Sequence, residues 1–459
     1  MRLRSLALLT MGCALAWAVV LVALAAPAVV RAASCASKYT DISAGLFDVY
    51  ANPSAAMDPV SNLLFVAYDN TANQDELYVN RCNLDGSNCS WHYVGPSFVK
   101  PFSLTPSAAV DTDGGRLLIA AEDDDTPSGT PTGVVFYCDL GVTRCKKVNI
   151  TTFLGNNTGN NPQMAIDGEH GKLLMFTCCT TEGAVLVQCG INGTDCVNVN
   201  VSGQTGQRLG ASWFTADARS GELAIVAWGG KTPTFVCDMD GTHCIFGYSG
   251  RYDESQVPTV GIDPTSGDLW VSSEWSIYRC DKHIQNCTTV LDMTPPSPLQ
   301  GAAKYSRVLV DGTRGRAFVA VADQRNDTYT PGLFRCDFGG TGCDYYNISA
   351  GRGPKSAYQY AATLDESTGN VLVVTSDGSD PNVGLLSLFT GMSPALVGGH
   401  AAPLKCCAAR AFLRSVVRLG RTLMPALVRE IGKKAWRWTA HWRTICNCSR
   451  VAIRRCTFE

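Results

Sequence analysis

Residues 107–123 read SAAVDTDGGRLLIAAED, which is a short apolar strand ending in Asp, a Gly-containing turn and a stronger apolar strand. The same pattern occurs seven times along the chain, with spacings of 53, 56, 50, 46, 48 and 54 residues between successive copies of the Asp. These seven marker aspartates are Asp58, Asp111, Asp167, Asp217, Asp263, Asp311 and Asp365. A regular period near 50 residues indicates a repeat architecture. We expect the marker aspartates to cap the turns that follow them.

Six of the copies continue with two cysteines separated by six mostly turn-forming residues, as in CNLDGSNC (82–89). Zinc sites favour two to four residues between paired ligands and need four ligands together, and successive pairs here belong to different copies. Residues seven apart can face each other across a hairpin at bridgeable distance, so we predict six local disulfides. The predicted pairs are Cys82/Cys89, Cys138/Cys145, Cys189/Cys196, Cys237/Cys244, Cys280/Cys287 and Cys336/Cys343.

Each copy therefore reads as four antiparallel strands, A to D, with the cysteines on the C–D hairpin. Four strands in about 50 residues describe one blade of a β-propeller. The sequence predicts an all-β fold, a seven-bladed β-propeller of four-stranded antiparallel blades, over residues 35–391.

The seventh copy has a third strand near 384–389, but no fourth strand follows it. CASKYTDISAG (35–45) is similar to CDYYNISAG (343–351), the fourth strand of the sixth copy. We therefore expect the N-terminal strand to complete the seventh blade and close the ring, which removes free sheet edges. Leu388 is expected at the place of Cys336, so that Cys35 loses its partner. Cys178-Cys179 breaks the pattern and is either a vicinal disulfide or a pair of buried thiols.

The N-terminus, residues 1–33, is typical of a signal peptide, because Arg2 and Arg4 precede a long apolar run. The run is also long enough to serve as an uncleaved membrane anchor. A cleaved signal and 21 cysteines predict a secreted, extracellular protein. Nine Asn-x-Ser/Thr sequons agree with that route: Asn88, Asn149, Asn156, Asn192, Asn200, Asn286, Asn326, Asn347 and Asn447.

The net charge of −2 hides an asymmetry, since residues 400–459 carry +11 and residues 33–399 carry −16. An acidic body argues against nucleic-acid binding. The segment 392–459 is predicted as a basic, partly helical tail, with Arg410, Arg414, Arg418 and Arg421 in one stripe. Such a helix could lie on an anionic membrane surface. The alternative is that the segment after Leu388 is not native-like, for instance because of an altered reading frame.

The A–B and C–D connections are short and similar, whereas the B–C and D–A connections are long and differ in every copy. In an antiparallel meander these two sets lie on opposite faces, here named the turn face and the loop face. Function is expected on the loop face. Its candidate ligand-binding residues are Asp69, Asp123, Glu274, Asp323, Asp377, Arg208, Gln256 and Gln359. The acids could bind Ca²⁺ or a cationic partner, or could be solvated loop residues.

No catalytic motif such as HExxH or GxSxG is present in the sequence. The Asp263–Trp270 stretch and the Cys-Asp-x-x-Gly-x-x-Cys turns resemble secreted β-propellers of the YWTD (low-density-lipoprotein-receptor) and NHL-repeat kind. That resemblance implies extracellular ligand or partner binding. We predict a monomeric binding scaffold that recognises a protein or glycan on the loop face. The alternative is a calcium-assisted propeller hydrolase, isomerase or lyase that uses the acidic mouth.

Overall fold

The computed structural model describes most of the repeat region. The described residues are 38–42, 53–70, 76–96, 106–123, 132–150, 160–180, 183–206, 212–227, 231–250, 258–273, 275–293, 304–323, 330–339, 342–348, 360–380 and 383–390. The predicted signal peptide (1–33) and the predicted tail (392–459) lie outside these residues and stay predictions. Within the described part, no helix is long and apolar enough to span a membrane.

Twenty-eight strands account for nearly all regular structure in the described residues. The first thirteen are β1 (Lys38–Asp41), β2 (Ser54–Asp58), β3 (Leu63–Asn70), β4 (Glu76–Asn83), β5 (Ser90–Pro96), β6 (Ser107–Asp111), β7 (Arg116–Asp123), β8 (Thr132–Asp139), β9 (Cys145–Asn149), β10 (Asn160–Asp167), β11 (Lys172–Thr180), β12 (Gly183–Gly190) and β13 (Val197–Asn200).

A one-turn helix α1 (Val201–Thr205) follows β13, and a single 3₁₀ turn covers Gly312–Arg314. The remaining strands are β14 (Ser212–Asp217), β15 (Glu222–Ala227), β16 (Pro233–Asp238), β17 (Ile245–Tyr248), β18 (Thr259–Ile262), β19 (Leu269–Ser272), β20 (Ser276–Cys280), β21 (Cys287–Asp292), β22 (Lys304–Asp311), β23 (Arg316–Asp323), β24 (Thr330–Asp337), β25 (Cys343–Asn347), β26 (Tyr360–Asp365), β27 (Asn370–Asp380) and β28 (Val383–Thr390).

The strands form seven four-stranded antiparallel sheets, an arrangement that resembles a β-propeller. Six sheets are meanders of four consecutive strands, in the order that the repeat predicts. They are β2-β3-β4-β5, β6-β7-β8-β9, β10-β11-β12-β13, β14-β15-β16-β17, β18-β19-β20-β21 and β22-β23-β24-β25, named here the first to sixth sheets. The seventh sheet has the order β1-β28-β27-β26, so its fourth strand comes from the N-terminal part of the chain.

The N-terminal strand is held from two directions. In the seventh sheet β1 runs antiparallel to β28, with Tyr39 opposite Phe389. Beyond β1, the buried Ile42 offers its carbonyl oxygen to the first sheet, where the Asn80 side-chain amide donates a hydrogen bond of 2.8 Å. Asn80 itself is fully buried and accepts a bond from the Tyr68 hydroxyl at 3.1 Å. Residues 38–42 thus contact both the seventh sheet and the first.

The expectation that Leu388 stands at the place of Cys336 is wrong. Leu388 lies opposite Val374, the fifth residue of β27, and in the sixth sheet the residue opposite the fifth residue of β23 is Leu333. Leu388 therefore corresponds to Leu333. The physical reason is that β27 is eleven residues long and carries a register shift between Asp377 and Asp380, which lengthens its hairpin with β28.

The cores lie between neighbouring sheets. Alternate residues of a strand point to opposite sides, so a second strand such as β3 contributes side chains to two cores. Phe65 packs in the core that also holds Leu117 and Ile119 of the second sheet, whereas Leu64 packs in the core that holds Leu372 of the seventh sheet. Because both faces are covered, the middle of each second strand is a continuous apolar run and not an alternating pattern. The first strand of each sheet contacts that of the next, and β2 also contacts β26.

The marker aspartates cap the A–B turns, as predicted. In the third sheet Asp167 accepts the backbone N–H of His170 at 3.2 Å, and in the second Asp111 accepts that of Gly114 at 2.9 Å. Four residues after each marker aspartate the backbone has positive φ, which favours Gly or Asn. These left-handed residues are Asn62, Gly115, Gly171, Gly221, Gly267, Gly315 and Gly369.

The two kinds of short turn lie at the same end of each sheet, as the turn face requires. Backbone hydrogen bonds join the C–D turn to the A–B turn in four sheets. The donors and acceptors are Leu84 to Asn62 (3.1 Å), Ile191 to Gly171 (2.9 Å), Met239 to Gly221 (3.0 Å) and Phe338 to Gly315 (2.9 Å). The opposite strand ends therefore belong to the loop face.

Candidate functional site

The residues predicted to bind a ligand fall into two groups. Asp69, Asp123, Asp323 and Asp377 lie in second strands, at or near their loop-face ends, but their side chains are outside the described structure. Glu274, Arg208, Gln256 and Gln359 lie outside the described residues altogether. The calcium site predicted from these residues therefore stays a prediction. Among the side chains that the structure does describe, no three or more His, Cys, Asp or Glu could hold a metal ion together.

The first strands carry, in the half nearer the loop face, a stack that the sequence did not reveal. The Arg307 guanidinium carbon lies 3.7 Å from the centroid of the Trp213 ring. Trp213 belongs to β14 of the fourth sheet and Arg307 to β22 of the sixth. The contact therefore joins two sheets that are not consecutive in the chain. Both side chains are only partly buried. A guanidinium stacked on an indole gains cation–π attraction and keeps its planar face fixed.

Trp213 and Arg307 occupy the same place in the repeat, four residues before the marker aspartate. The seven residues at this place, named here the first-strand row, are Ser54, Ser107, Gln163, Trp213, Thr259, Arg307 and Ala361. Four of them hydrogen-bond to the next sheet. Ser54 Oγ accepts Ala108 N at 3.0 Å, Ser107 Oγ accepts Met164 N at 2.9 Å, Gln163 Oε1 accepts Phe214 N at 2.8 Å, and Thr259 Oγ1 lies 3.2 Å from Ser306 Oγ.

The first-strand row therefore has two roles. Its four hydrogen-bonding members bind neighbouring first strands together through bonds that are buried or partly buried. Trp213 and Arg307 do not follow that pattern and contact each other instead. The repeat alignment contained the signal for this difference, because Trp213 and Arg307 stand where other copies have Ser, Thr, Gln or Ala. The marker aspartates and the loops are visible as local patterns, whereas the pairing of Trp213 with Arg307 is not.

The turn-face ends of the first strands are also bridged. Arg219, in the A–B turn of the fourth sheet, donates two hydrogen bonds of 3.0 Å to the two carboxylate oxygens of Glu366 in the A–B turn of the seventh. Arg314 of the sixth sheet donates to the carbonyl oxygens of Glu366 and Ser367 at 2.9 and 3.0 Å. Burial alone would lower the pKa of Arg219, but the Glu366 and Asp217 carboxylates outweigh it and raise that pKa. The guanidinium stays charged at any physiological pH.

The six predicted disulfides are confirmed. The bonds join Cys82 to Cys89, Cys138 to Cys145, Cys189 to Cys196, Cys237 to Cys244, Cys280 to Cys287 and Cys336 to Cys343. Each closes a C–D hairpin at the turn face, away from the Trp213–Arg307 stack, which indicates a structural role. Cys178 and Cys179 belong to β11, but their side chains are outside the described structure, so the choice between disulfide and thiols stays open.

Comparisons with known proteins yield structural likeness without a family. No protein-family model matches the chain, and no curated protein matches it. A structure described as a nidogen/laminin complex matches at 13% identity and a TM-score of 0.34, covering 52% of this chain and 78% of that chain. The β-propeller domain of the trilobed protease from Pyrococcus furiosus, with an open velcro topology, matches at 12% identity and a TM-score of 0.42, covering 76% and 95%.

The WD40 domain of Toxoplasma gondii coronin matches at 10% identity and a TM-score of 0.48, covering 78% of this chain and 87% of that chain. The resemblance to YWTD and NHL-repeat proteins, predicted from motifs, is matched by no family model and stays a prediction at that level.

Proposed function

We propose that the seven sheets form a closed, seven-bladed propeller that works outside the cell as a binding scaffold and presents its loop face to a protein or glycan. Three contacts support closure of the ring. The N-terminal strand pairs with the last sheet, Asn80 of the first sheet binds the carbonyl of Ile42, and β2 contacts β26. The Trp213–Arg307 and Arg219–Glu366 contacts join sheets that are not neighbours, as expected for first strands around a common axis.

The disulfides support the extracellular location. Six cross-links in one repeat region are consistent with an oxidising compartment, where such bonds form and persist. Each link stabilises its hairpin against local opening. A rigid frame of this kind suits a protein whose role is to hold loops in position.

The observation that carries the choice of face is the Trp213–Arg307 stack. Trp and Arg are the residues most enriched among those that dominate binding energy at protein interfaces. Here they lie together and partly buried, in the halves of β14 and β22 that are nearer the loop face. The turn face, by contrast, is built from repeated, hydrogen-bonded turns.

The test is a binding screen of the secreted full-length chain against immobilised glycans and extracellular proteins, repeated with a chelator. For the ligand found, Trp213→Ala is expected to weaken binding at least about tenfold, the loss of one interface hot spot. Trp91→Ala is the matched control, because Trp91 is 48% exposed on the outer strand β5 and should leave the affinity unchanged. Absence of any ligand, or equal effects of the two substitutions, would contradict the proposal. Loss of binding with the chelator would support a calcium-dependent version.

A further inference from the structure

Two sequons occupy the same place in different copies of the repeat. Asn88 and Asn286 each stand directly before the second cysteine of a C–D hairpin, in Asn-Cys-Ser (88–90) and Asn-Cys-Thr (286–288). Both asparagines are exposed. The two sites thus stand at equivalent disulfides and at the same position in their sheets, and they differ in the third residue of the sequon and in the turn.

Asn88 takes no part in holding its turn. The turn is closed by the backbone bonds from Asn83 N to Ser87 O (2.8 Å) and from Gly86 N to Asn83 O (2.9 Å). Asp85 Oδ1 accepts Ser87 N at 2.9 Å. Asn88 has φ of 52°, and within the described part of the chain its side chain makes no hydrogen bond or ion pair. Its amide is therefore free to carry a substituent without breaking any bond of the turn.

Asn286 is part of the structure of its turn. Its side-chain amide donates to Asp281 Oδ2 at 2.6 Å, and its backbone N–H donates to the same oxygen at 3.1 Å. The other oxygen of Asp281 accepts the backbone N–H groups of His283 (3.1 Å) and Gln285 (2.9 Å). A sugar on the Asn286 amide would replace one of its two hydrogens and add bulk next to the carboxylate that organises the turn.

The third residue of each sequon does not distinguish the two sites. The Ser90 hydroxyl lies 2.9 Å from His92 Nε2, and the Thr288 hydroxyl donates to the carbonyl of Arg279 at 3.3 Å. Each hydroxyl therefore has a partner in the folded hairpin.

We propose that Asn88 carries an N-linked oligosaccharide in the secreted protein and that Asn286 does not, an inference that rests on the proposed extracellular location. The donor is a lipid-linked pyrophosphoryl oligosaccharide. Asn88 Nδ2 forms a bond to the anomeric carbon of the sugar, the bond from that carbon to the phosphate oxygen breaks, and the lipid pyrophosphate leaves. The amide gives up one proton. Because the Cys82–Cys89 hairpin is at the turn face, the glycan leaves the loop face open for a partner.

The experiment is glycopeptide mass spectrometry of the full-length chain secreted by eukaryotic cells, after enzymatic release of N-glycans in ¹⁸O-water. The Asn88 peptide is expected to be mostly converted to labelled Asp, and the Asn286 peptide to be mostly unlabelled. Asn88→Gln and Ser90→Ala should each remove one oligosaccharide from the intact mass, whereas Asn286→Gln should not change the glycan content. Asp281→Ala frees the Asn286 amide and should raise labelling there.

An unlabelled Asn88 peptide in the secreted chain, or equal labelling of the two peptides, would overturn the inference. A second preparation places a well-characterised export leader before the chain. If residues 1–33 fail to direct export, the proposed location is contradicted, and the chain behind the export leader still tests Asn88. The two failures are thereby distinguished.

Discussion

At the scale of single residues, the buried carboxylates of the marker aspartates stabilise the A–B turns by accepting several hydrogen bonds. Asp365 is 5% exposed, and it accepts Ser367 N at 3.0 Å and Thr368 N at 3.3 Å, together with the hydroxyls of both residues. Burial alone would raise the pKa of Asp365, but the hydrogen bonds from Ser367 and Thr368 outweigh it and lower that pKa. An ionised carboxylate accepts several such bonds at once, which no neutral side chain of this size does.

Asp365→Ala is therefore expected to lower the free energy of unfolding by about 2 kcal/mol at neutral pH, the cost of leaving charge-assisted donors unpaired. Because the folded pKa is lowered, the contribution is complete above the ordinary Asp value near 4 and is lost as pH falls through the folded pKa. Urea unfolding at several pH values measures the difference. Asp113→Ala, at an exposed position of the equivalent turn in the second sheet, should change little at any pH. A pH-independent loss in the Asp365 variant would contradict the assignment.

The marker aspartates could be recognised from sequence because a cap bonds residues only two or three positions away. The Trp213–Arg307 contact joins residues 94 positions apart, and its formation depends on how three sheets are placed around one another. No local pattern contains that placement. Asp69, Asp123, Asp323 and Asp377 share this difficulty, since they lie on separate strands and no local pattern states the distances between them.

At the scale of one element, the C–D hairpin has a disulfide that the sequence predicts and backbone φ angles that it does not predict. Val142 and Ile284 have φ of 52° and 57°, in the left-handed region that β-branched residues avoid. Both are buried, Val142 in the core between the first and second sheets and Ile284 in the core between the fourth and fifth. Burial of an aliphatic side chain contributes about 1.5–3 kcal/mol, which offsets the conformational cost of about 1–2 kcal/mol. Turn-residue statistics alone miss such positions.

Removing one hairpin disulfide is expected to weaken the protein without unfolding it. Replacing Cys280 and Cys287 together by Ser should lower the free energy of unfolding by about 2 kcal/mol, because the closed loop is short. Denaturant unfolding under oxidising conditions measures the change. The matched Cys82/Cys89 pair closes a loop of the same length, so its double Ser variant should lose a similar amount. The differences between either variant and the unmodified chain should vanish in reductant; a persistent difference would place the effect elsewhere.

At the scale of the whole molecule, a short strand from the N-terminal part of the chain completes the seventh sheet. The sequence predicted where this strand belongs from the likeness of 35–45 to 343–351, and the structure pairs β1 with β28. It did not predict the Asn80–Ile42 bond, which connects the same segment to the first sheet. Hydrophobic periodicity predicts which residues are buried. It does not predict which group an isolated buried polar residue binds.

Asn80→Ala should therefore release the N-terminal strand selectively. The substitution leaves the Ile42 carbonyl and the Tyr68 hydroxyl without their partner in a buried place, which is expected to cost about 2–3 kcal/mol. Hydrogen–deuterium exchange should show faster exchange of the amides of Lys38–Asp41, with the third and fourth sheets unchanged. Asn83→Ala removes only a local turn bond to Ser87 and serves as the control. Unchanged protection of Lys38–Asp41 in Asn80→Ala would refute the role of this bond.

The Arg219–Glu366 bridge has a consequence for passage along the axis. In the proposed ring, it lies across the turn-face end and joins the fourth and seventh sheets through two parallel hydrogen bonds. In that arrangement, a solute that moves along the axis through the turn-face end has to separate the Arg219 guanidinium from the Glu366 carboxylate.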